Sequence, residues 1–233
     1  MKSVTFIIPV FNEVKTIEKA ILEVINLKDI DKEIIILDNC SNDGSVEVLN
    51  KFSNHKDVKL LLKKKNLGYG DSIKKGFNLA TKELIYIQYA DLEYPIEGFF
   101  RMIDVYEKTK ADVVFGERYS NLNLTKVISE ILSRPHFLAT LITTFLINIF
   151  YDVKFNDIIG SKLYKNSKFK DFEINADNPG FDFELISRIM KSNLLIKNVF
   201  VPYKARENSS EKKIKFYHMF NAIYEILRIK MFY

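Results

Sequence analysis

The first half of the chain alternates between short apolar runs and longer amphipathic segments. The apolar runs predict buried strands over 4–10, 33–37, 58–62, 84–88 and 112–115. Between them, apolar residues recur at helical spacing, as at Ile17, Ile21 and Val24, and predict connecting helices. Strands that alternate with helices of this length predict right-handed crossovers. The predicted fold is therefore α/β, with a mostly parallel central sheet and helices on both faces.

After Phe115 the alternation becomes weaker. We expect a polar loop over 120–126 and strands over 156–164 and 194–201. Helices are predicted over 137–150, 181–191 and 216–233. The segment 137–150 is apolar but too short to span a bilayer, so a buried or interfacial helix is expected. Because there is no internal repeat, low-complexity block or linker, one compact domain is predicted.

Acidic residues follow the predicted strands at the points where those strands end. Glu13 comes just after the first strand, Asp38 ends the second, and Asp91 and Glu93 follow the strand over 84–88. In open parallel sheets, ligands bind beyond the carboxyl ends of the strands. This recurrence predicts a ligand site at one edge of the sheet.

Asp91 and Glu93 are the most informative of these acidic residues. An extended backbone would point both side chains to the same side, since they are two residues apart. Two convergent carboxylates suit a divalent cation that carries phosphates. The alternative is a solvated acidic turn closed by Pro95. The acidic residues beyond the other strands favour the cation site.

Composition narrows the class of protein and its partners. A hydrophobic content of 47% with 28% charged residues is typical of globular proteins and excludes wholesale disorder. The single cysteine, Cys40, excludes an intramolecular disulfide framework and favours a reducing compartment. The first residues lead directly into a strand, so no secretory signal and a cytoplasmic location are expected.

The net charge of +5 favours an anionic partner. Nucleotides, phospholipid surfaces and nucleic acids all satisfy this requirement. No basic helix or aromatic strand motif typical of nucleic-acid binding is present, so no nucleic-acid partner is expected.

Seven segments taken together resemble a known family. They are 8–13, 38–45, 66–76, 90–95, 113–119, 157–164 and 201–214. In this order they are similar to family 2 glycosyltransferases with the GT-A fold, and within that family to polyprenyl- and dolichyl-phosphate sugar synthases. Each segment alone is a weak signal, but the seven in order cover nearly the whole chain.

The resemblance implies an inverting enzyme that uses a nucleotide-diphosphate sugar. It further implies one GT-A domain over 1–233, with a nucleotide-sugar-binding half over 1–119 and an acceptor-side half over 120–233. The implied acceptor is a polyprenyl phosphate or a membrane-linked glycan of the cell envelope. Transfer to a hydroxyl of a soluble saccharide, or a catalytically impaired nucleotide-sugar-binding homologue, is the alternative.

The resemblance also assigns residues to the donor site. The implied nucleotide contacts are Pro9, Asn12, Glu13, Asp38, Asn39, Asn66, Gly68 and Asp91. Asp91, as a catalytic residue, and Glu93 would hold Mg²⁺ or Mn²⁺, which neutralises the charge that grows on a diphosphate leaving group. Two positions depart from the family pattern: Tyr89 replaces the first acid of the metal segment, and Asn39 replaces the acid that usually follows Asp38. These departures leave donor choice, metal affinity and activity open.

The chemistry of the acceptor decides which further residues matter. A lipid phosphate needs cations, and the resemblance makes Arg118 and Arg206 the preferred further catalytic residues because they lie in matching segments. The further candidates are Arg134, Lys162, Lys212 and Lys213. A hydroxyl acceptor needs a base instead, for which Asp157 or Glu184 is available, although each has a structural role as an equal alternative.

The apolar helices provide a second indication of the acceptor. The helices over 137–150 and 216–233 suit a membrane interface, which would make the protein peripheral on the cytoplasmic face of the membrane. Burial in the core or a contact between subunits of a homo-oligomer is the alternative.

Overall fold

The apolar runs and amphipathic segments form strands and helices close to the predicted positions. The structure, a computed structural model, describes residues 2–120, 124–133, 137–169, 172–176, 180–205 and 218–232. The strands are β1 (Lys2–Val10), β2 (Ile30–Asp38), β3 (Val58–Leu62), β4 (Leu84–Ile87), β5 (Val113–Glu117), β6 (Lys162–Lys165) and β7 (Ile196–Phe200). The helices are α1 (Ile17–Ile25), α2 (Ser45–Asn50), α3 (Tyr69–Leu79), α4 (Glu97–Thr109), α5 (Leu124–Ser133), α6 (Phe137–Tyr151), α7 (Phe181–Lys191) and α8 (His218–Phe232).

Within the described residues, the strands form one sheet in the order β3-β2-β1-β4-β6-β5-β7. All neighbouring pairs are parallel except those of β6, which runs antiparallel to β4 and to β5. This arrangement confirms the predicted mostly parallel α/β fold. Because β2, β1 and β4 are parallel neighbours, their carboxyl ends lie at the same edge of the sheet.

Alternate residues of the central strands bury themselves on opposite faces, as the period of two along a strand requires. Phe6 and Ile8 of β1 belong to a cluster that contains apolar residues of α1, α2 and α4. Ile7, between them, belongs to a second cluster with residues of α3, α6, α7 and α8. Helices therefore cover both faces, as predicted.

Two local predictions in the second half are wrong. The polar loop expected over 120–126 ends early, because α5 begins at Leu124. The apolar spacing of Val127, Ile128 and Ile131 outweighs the polar residues that precede it. The strand expected over 156–164 is reduced to β6, because the chain from Asn156 to Ser161 bends instead of running straight.

The chain turns before β6 because of two specific contacts. The Asp157 carboxylate accepts hydrogen bonds from the backbone amides of Arg118 and Ile159, at 3.2 and 3.0 Å. Next to it, Gly160 lies directly against the backbone of Gly116, so closely that an added Cβ would overlap with the Gly116 carbonyl oxygen. A regular strand over this segment is incompatible with both contacts.

The two apolar helices of the second half have the predicted extents. α6 ends within one residue of the predicted boundary, and α8 covers the part of the predicted tail helix that the structure describes. Among the described residues, no helix combines the length and the apolar character needed to cross a bilayer.

Candidate active site

Polar side chains gather where β1, β2 and β4 end. Val10, the last residue of β1, pairs with Asp38, the last residue of β2. Ile7 of β1 pairs with Ile87, the last residue of β4. We call the residues that end or follow these strands the polar edge: Asn12, Glu13, Asp38, Asp91 and Glu93. The topology thus brings together the acidic segments that the sequence analysis singled out.

Hydrogen bonds join the loop after β1 to the turn after β2. The backbone amide of Asn12 donates to Ser41 Oγ at 2.9 Å, and the amide of Glu13 donates to Ser45 Oγ at 2.9 Å. In return, the amide of Asn42 donates to Asn12 Oδ1 at 2.9 Å. Pro9 lies inside β1 beside Leu37, just before this loop. These bonds hold the two loops of the polar edge as one unit.

Asp38 is the most deeply buried acid of the polar edge, with 1% of its surface exposed. Its Oδ2 accepts a hydrogen bond from the backbone amide of Ser41 at 3.1 Å. Its Oδ1 is buried and accepts no hydrogen bond from the part of the chain that the structure describes. A buried carboxylate oxygen without a donor is costly. This oxygen therefore fits a ligand that brings an N–H or O–H group.

Asn39, Asn66 and Gly68 bind one another. The Asn39 side-chain amide donates to Asn66 Oδ1 at 2.6 Å, and the Gly68 amide donates to the same oxygen at 3.0 Å. Asn39 Oδ1 accepts from the backbone amide of Leu67 at 3.0 Å. The φ of +90° at Gly68 suits glycine and starts α3. These residues shape the loop that borders the polar edge.

The segment after β4 is a turn, so the expectation of an extended backbone at Asp91 and Glu93 is wrong. Leu92 between them has φ of +60°, and the Glu93 amide donates to Asp91 Oδ1 at 3.1 Å. The Glu93 carboxylate accepts a hydrogen bond from the Tyr203 hydroxyl at 2.9 Å. The turn forms because a short carboxylate bonds the amide two residues on. Both acids are half-buried, which distinguishes this turn from a fully solvated one.

The residues that the structure describes contain no group of three or more His, Cys, Asp or Glu arranged to hold a metal ion. A cation at the polar edge would need Asp91 and Glu93 together with oxygens from its ligand. Mg²⁺ is commonly bound in this way, by one or two carboxylates and substrate phosphates.

Four tyrosines form a continuous row beside this turn. We call Tyr69, Tyr89, Tyr94 and Tyr203 the tyrosine row. Successive ring centroids are 6.5, 5.0 and 5.2 Å apart, and the rings of Tyr69 and Tyr89 are nearly parallel. Burial raises the pKa of Tyr89, so the residue at the first acidic position of the metal segment is a neutral phenol. Tyr89 therefore supplies ring surface and a hydroxyl where the family pattern has a carboxylate.

Arg118 is committed to Asp157. Its Nε donates to Asp157 Oδ2 at 2.6 Å and its Nη2 donates to Oδ1 at 2.9 Å. Burial alone would raise the pKa of Asp157, but the Arg118 charge and its hydrogen bonds lower it below the ordinary value. The guanidinium also lies over the Tyr203 ring, 5.1 Å from the centroid. Arg118 is thus held in a buried bidentate pair next to the tyrosine row.

Glu184 is occupied by structural bonds as well. Its carboxylate accepts from the amides of Asn175 and Ala176, at 3.1 and 2.6 Å. It also accepts from Arg188 Nε at 2.8 Å and lies 3.1 Å from an Arg228 nitrogen. Burial would raise the pKa of Glu184, yet these bonds lower it. Of the two bases suggested by the sequence, Asp157 and Glu184, each is saturated by hydrogen bonds and ion pairs.

Asp182 is a carboxylate that the sequence analysis missed. It lies in the first turn of α7, half-buried, and burial raises its pKa while Lys162 lowers it. Its charge acts on the Tyr69, Tyr89 and Tyr164 hydroxyls, whose pKa values burial raises. The only sequence signal was an acid between two aromatic residues at the start of a predicted helix. Position in the fold, rather than local pattern, identifies Asp182.

The other predicted cations are placed as follows. Lys162 is buried in β6, with 3% of its surface exposed. Arg206, the third predicted catalytic residue, lies outside the described residues, as do Arg134, Lys212 and Lys213.

Comparison with known protein families identifies the family of this chain. A family model described as glycosyl transferase family 2 matches residues 5–172, well over half of the chain. The chain belongs to glycosyl transferase family 2. The match includes most of β1 and all of β2 and β4, and therefore every residue of the polar edge of this family 2 glycosyltransferase.

Curated relatives of this family 2 glycosyltransferase include enzymes named for polyprenyl phosphates. The dolichol-phosphate mannosyltransferase of Pyrococcus furiosus is 29% identical over 117 residues, which cover 50% of this chain and 33% of that protein. The undecaprenyl-phosphate 4-deoxy-4-formamido-L-arabinose transferase of Yersinia pestis is 33% identical over 113 residues, 46% of this chain and 35% of that protein. The chain matches about a third of the length of these relatives.

A solved structure supports the same fold. The glucosyl-3-phosphoglycerate synthase of Mycobacterium tuberculosis, in complex with Mn²⁺, UDP-glucose and phosphoglyceric acid, superposes with a TM-score of 0.64 at 15% identity. The match covers 98% of this chain and 80% of that one. The architecture of this family 2 glycosyltransferase is therefore shared with a GT-A enzyme over nearly the whole chain.

Proposed function

We propose that the protein transfers a sugar, with inversion, from a nucleotide-diphosphate sugar to an acceptor at the membrane, a polyprenyl phosphate or a membrane-linked glycan. The observation that carries the proposal is the gathering of Asp38, Asp91 and Glu93 at one edge of a family 2 glycosyltransferase fold. Carboxylates from two segments at the carboxyl ends of parallel strands suit a nucleotide and a metal-bound diphosphate. In this proposal, the reaction takes place at the cytoplasmic face of the membrane.

The donor site would use the polar edge in two parts. Asp38 Oδ1, buried and without a described donor, would accept from the base or the ribose. The loop of Pro9, Asn12 and Glu13 would border the nucleotide, since serine side chains hold it against the turn that follows Asp38.

Asp91 and Glu93 would hold Mg²⁺ or Mn²⁺ together with the diphosphate. The fit rests on their chemistry, two carboxylates in one tight half-buried turn. When bound, the cation would neutralise charge on the leaving diphosphate. The neutral Tyr89 reduces the local negative charge, so we expect metal binding to depend strongly on the nucleotide that is bound with it.

A test of this function is a panel of UDP-, GDP- and dTDP-sugars, with and without Mn²⁺. Release of the nucleoside diphosphate, with water or an added acceptor receiving the sugar, is the expected result for one member of the panel. Binding without any turnover would favour the impaired homologue instead. No binding to any member, with or without Mn²⁺, would contradict the proposal.

A phosphate acceptor would need cations near the tyrosine row. Arg118 could offer a phosphate its remaining N–H groups, because its Nε and Nη2 bond Asp157 while Nη1 does not. Arg206 remains a candidate by family resemblance. We expect Arg206→Ala to weaken use of polyprenyl phosphate more than binding of the donor, and unchanged acceptor kinetics would remove Arg206 from this role.

A second acceptor class, a hydroxyl of a glycan, is favoured by Asp182. This carboxylate accepts no hydrogen bond among the described residues, and it is partly exposed beside the tyrosine row. As an acceptor oxygen bonds to the anomeric carbon, the bond from that carbon to the diphosphate breaks and its electron pair leaves with the diphosphate. The hydroxyl proton would pass to Asp182. Turnover that requires added polyprenyl phosphate, rather than a glycan, would reject this acceptor class.

Membrane contact is the remaining part of the proposal. α6 and α8 pack side by side, and each exposes apolar side chains on its outer face. This exposed face consists of Leu138, Phe145, Ile149, Phe220, Tyr224 and Met231. An amphipathic face of this kind on a basic protein suits the interface of an anionic bilayer. Co-sedimentation with anionic vesicles, lowered by Phe145→Ser with Ile149→Ser, is the expected result. Equal sedimentation of both proteins would exclude this face.

A further inference from the structure

The chain that follows β7 is hydrogen-bonded to the turn of Asp91 and Glu93. The Tyr203 hydroxyl donates to Glu93 Oε2 at 2.9 Å, and the backbone amide of Lys204 donates to the Glu93 carbonyl oxygen at 2.8 Å. Tyr203 and Glu93 are 110 positions apart in the chain. Because consecutive residues bond both the side chain and the backbone of Glu93, this contact fixes the acid relative to the segment after β7.

The position of the Tyr203 hydroxyl is set by the packing of its ring. The ring centroid lies 5.2 Å from that of Tyr94, and the guanidinium carbon of Arg118 lies 5.1 Å from the same Tyr203 centroid. Arg118 is in turn held by two hydrogen bonds to Asp157. A side chain whose rotamer is locked by its neighbours can hold a functional group in place before a ligand arrives. Tyr203 is therefore a donor fixed by packing as well as by its own hydrogen bond.

The direction of the hydrogen bond between Tyr203 and Glu93 is also fixed. Burial and the charge of Glu93 raise the pKa of the Tyr203 phenol, while Arg118 lowers it, and the net result lies above the ordinary value. The phenol therefore keeps its proton at neutral pH. An ionised carboxylate has only acceptor oxygens, so Tyr203 donates and Glu93 accepts.

Each acid of the turn is thus oriented by its own donor. Asp91 Oδ1 accepts from the Glu93 amide at 3.1 Å, and Glu93 Oε2 accepts from Tyr203. Carboxylates that bind metal ions are usually held by such a second partner, which orients them. Orientation matters more in this chain, since the neutral Tyr89 stands where the family pattern has a further acid. With two carboxylates for a cation, a misplaced Glu93 removes half of the anionic ligands.

We propose that Tyr203 is a positioning residue whose hydroxyl orients the Glu93 carboxylate toward the divalent cation that accompanies the donor. The inference rests on the proposed function, because it requires a cation on Asp91 and Glu93. Tyr203 itself touches neither the cation nor the reacting atoms. The segment after β7 is, in this way, part of the support of the metal site.

A purely structural role of Tyr203 makes a different prediction. If the hydroxyl only ties the segment after β7 to the turn, its loss should change nucleotide affinity equally with and without a cation. If the hydroxyl orients Glu93, its loss should remove only the part of the affinity that the cation adds. The gain in nucleotide affinity on adding Mn²⁺ therefore distinguishes the two roles.

The experiment is calorimetric titration of UDP, GDP and dTDP, each with and without Mn²⁺, into the wild type and Tyr203→Phe. The variant keeps the ring between its neighbours and removes the hydroxyl alone. For the nucleotide that binds, we expect the gain on adding Mn²⁺ to fall about 10- to 100-fold in Tyr203→Phe, while affinity without Mn²⁺ stays the same. A full gain in the variant, or an equal loss with and without Mn²⁺, would overturn the proposal.

The matched control is Tyr106→Phe, which removes another tyrosine hydroxyl that donates to a glutamate. Tyr106 bonds Glu83, which precedes β4, whereas the turn of Asp91 and Glu93 follows that strand. This variant should keep the wild-type gain on adding Mn²⁺. A wild type with no such gain would contradict the cation site of the proposed function, which distinguishes that failure from a failure of the role of Tyr203.

A second measurement keeps the Tyr203 hydroxyl in place. Fluorotyrosine introduced at residue 203 alone, with the fluorine beside the hydroxyl, reports on the hydrogen bond to Glu93 by ¹⁹F NMR. Mg²⁺ added with the nucleotide should move this signal beyond its position with the nucleotide alone, because a cation on Glu93 weakens the bond that its carboxylate accepts. In Asp91→Ala the added Mg²⁺ should leave the signal in place. A signal that ignores Mg²⁺ in the otherwise wild-type protein would overturn the proposal.

Discussion

Two sets of opposite charges beside the tyrosine row, Arg118 with Asp157 and Lys162 with Asp182, are built differently. In the first, two guanidinium nitrogens donate to both carboxylate oxygens at 2.6 and 2.9 Å. In the second, the charges act on one another without a hydrogen bond between them. The protein lowers the pKa of Asp157 and raises that of Asp182.

The difference distinguishes a carboxylate with a structural role from one suited to acid–base chemistry. A carboxylate whose lone pairs are filled by donors stabilises the fold and cannot easily accept another proton. A carboxylate with a raised pKa and unfilled lone pairs is suited to acid–base work. On this comparison Asp157 is structural, which is one of the two alternatives that the sequence left open, and Asp182 is the candidate for chemistry.

The largest expected effect comes from Gly160, which lies between Asp157 and Lys162 and places both. Because a Cβ there would overlap with the Gly116 carbonyl oxygen, Gly160→Ala should cost more than about 4 kcal/mol or abolish soluble expression. Urea denaturation and soluble yield measure this. The control Gly98→Ala meets Val201 at 3.2 Å and should stay within about 1 kcal/mol of the wild type. A normally stable Gly160→Ala protein would refute the tight contact.

Breaking the hydrogen-bonded pair of Arg118 and Asp157 should have the next largest effect. Asp157→Asn leaves the Arg118 charge buried without its partner, and we expect a loss of about 3–5 kcal/mol in the free energy of unfolding. The exposed pair of Lys51 and Glu18 provides a control, since Glu18→Gln should cost less than about 1 kcal/mol. Equal losses in the two variants would show that the pair of Arg118 and Asp157 is no stronger than a surface pair.

Replacing Asp182 should affect activity rather than stability. If the acceptor is a hydroxyl, Asp182→Asn should lower turnover about 10²- to 10⁴-fold while leaving donor binding intact. Steady-state kinetics together with donor titration test this. Full turnover with a hydroxyl acceptor would remove Asp182 from the proton transfer.

The pH dependence of stability should have opposite signs for the two acids. The pKa of Asp157 is lowered by folding, so its contribution is present above the unfolded pKa and is lost as pH falls through the folded pKa. The pKa of Asp182 is raised, so its contribution is present in acid and is lost as pH rises through the folded pKa. Between neutral pH and acid, Asp157→Asn should flatten the fall in unfolding free energy, and Asp182→Asn should steepen it. Identical profiles for both variants would contradict the assignment.

The smallest expected effect concerns the Tyr89 hydroxyl. It lies 3.5 Å from the Tyr69 hydroxyl, a long hydrogen bond, so Tyr89→Phe should change stability by less than about 1 kcal/mol. Thermal unfolding measures this. A larger loss would show that the hydroxyl, rather than the ring, holds the tyrosine row together.

Much of the fold follows from local sequence, because each central strand is an apolar run bounded by polar turns. The bounds of α1 and α7 agree with the spacing of their apolar residues. β6 was predicted too long, since the bonds of Asp157 to Arg118, 39 positions away in the chain, are invisible to a local pattern. The left-handed turn at Leu92 is likewise a property of how Asp91 bonds its neighbour's amide.

The candidate site was predictable only where it follows strand ends. The acids of the polar edge were found because parallel strands end together. Asp182 and Lys162 were not found as a pair, because one comes from a helix and the other from an antiparallel strand that enters the sheet between β4 and β5. The position of Asp182 is set by tertiary packing of α3 against the start of α7.

The proposed activity requires that the polar edge hold a diphosphate through a cation on Asp91 and Glu93. Calorimetric titration of the preferred nucleotide sugar, with and without Mn²⁺, into the wild type and Asp91→Ala tests this directly. We expect Mn²⁺ to strengthen binding in the wild type and to have no effect in Asp91→Ala, which should still unfold in a cooperative urea transition. Mn²⁺-dependent binding of equal strength in both proteins would contradict the account.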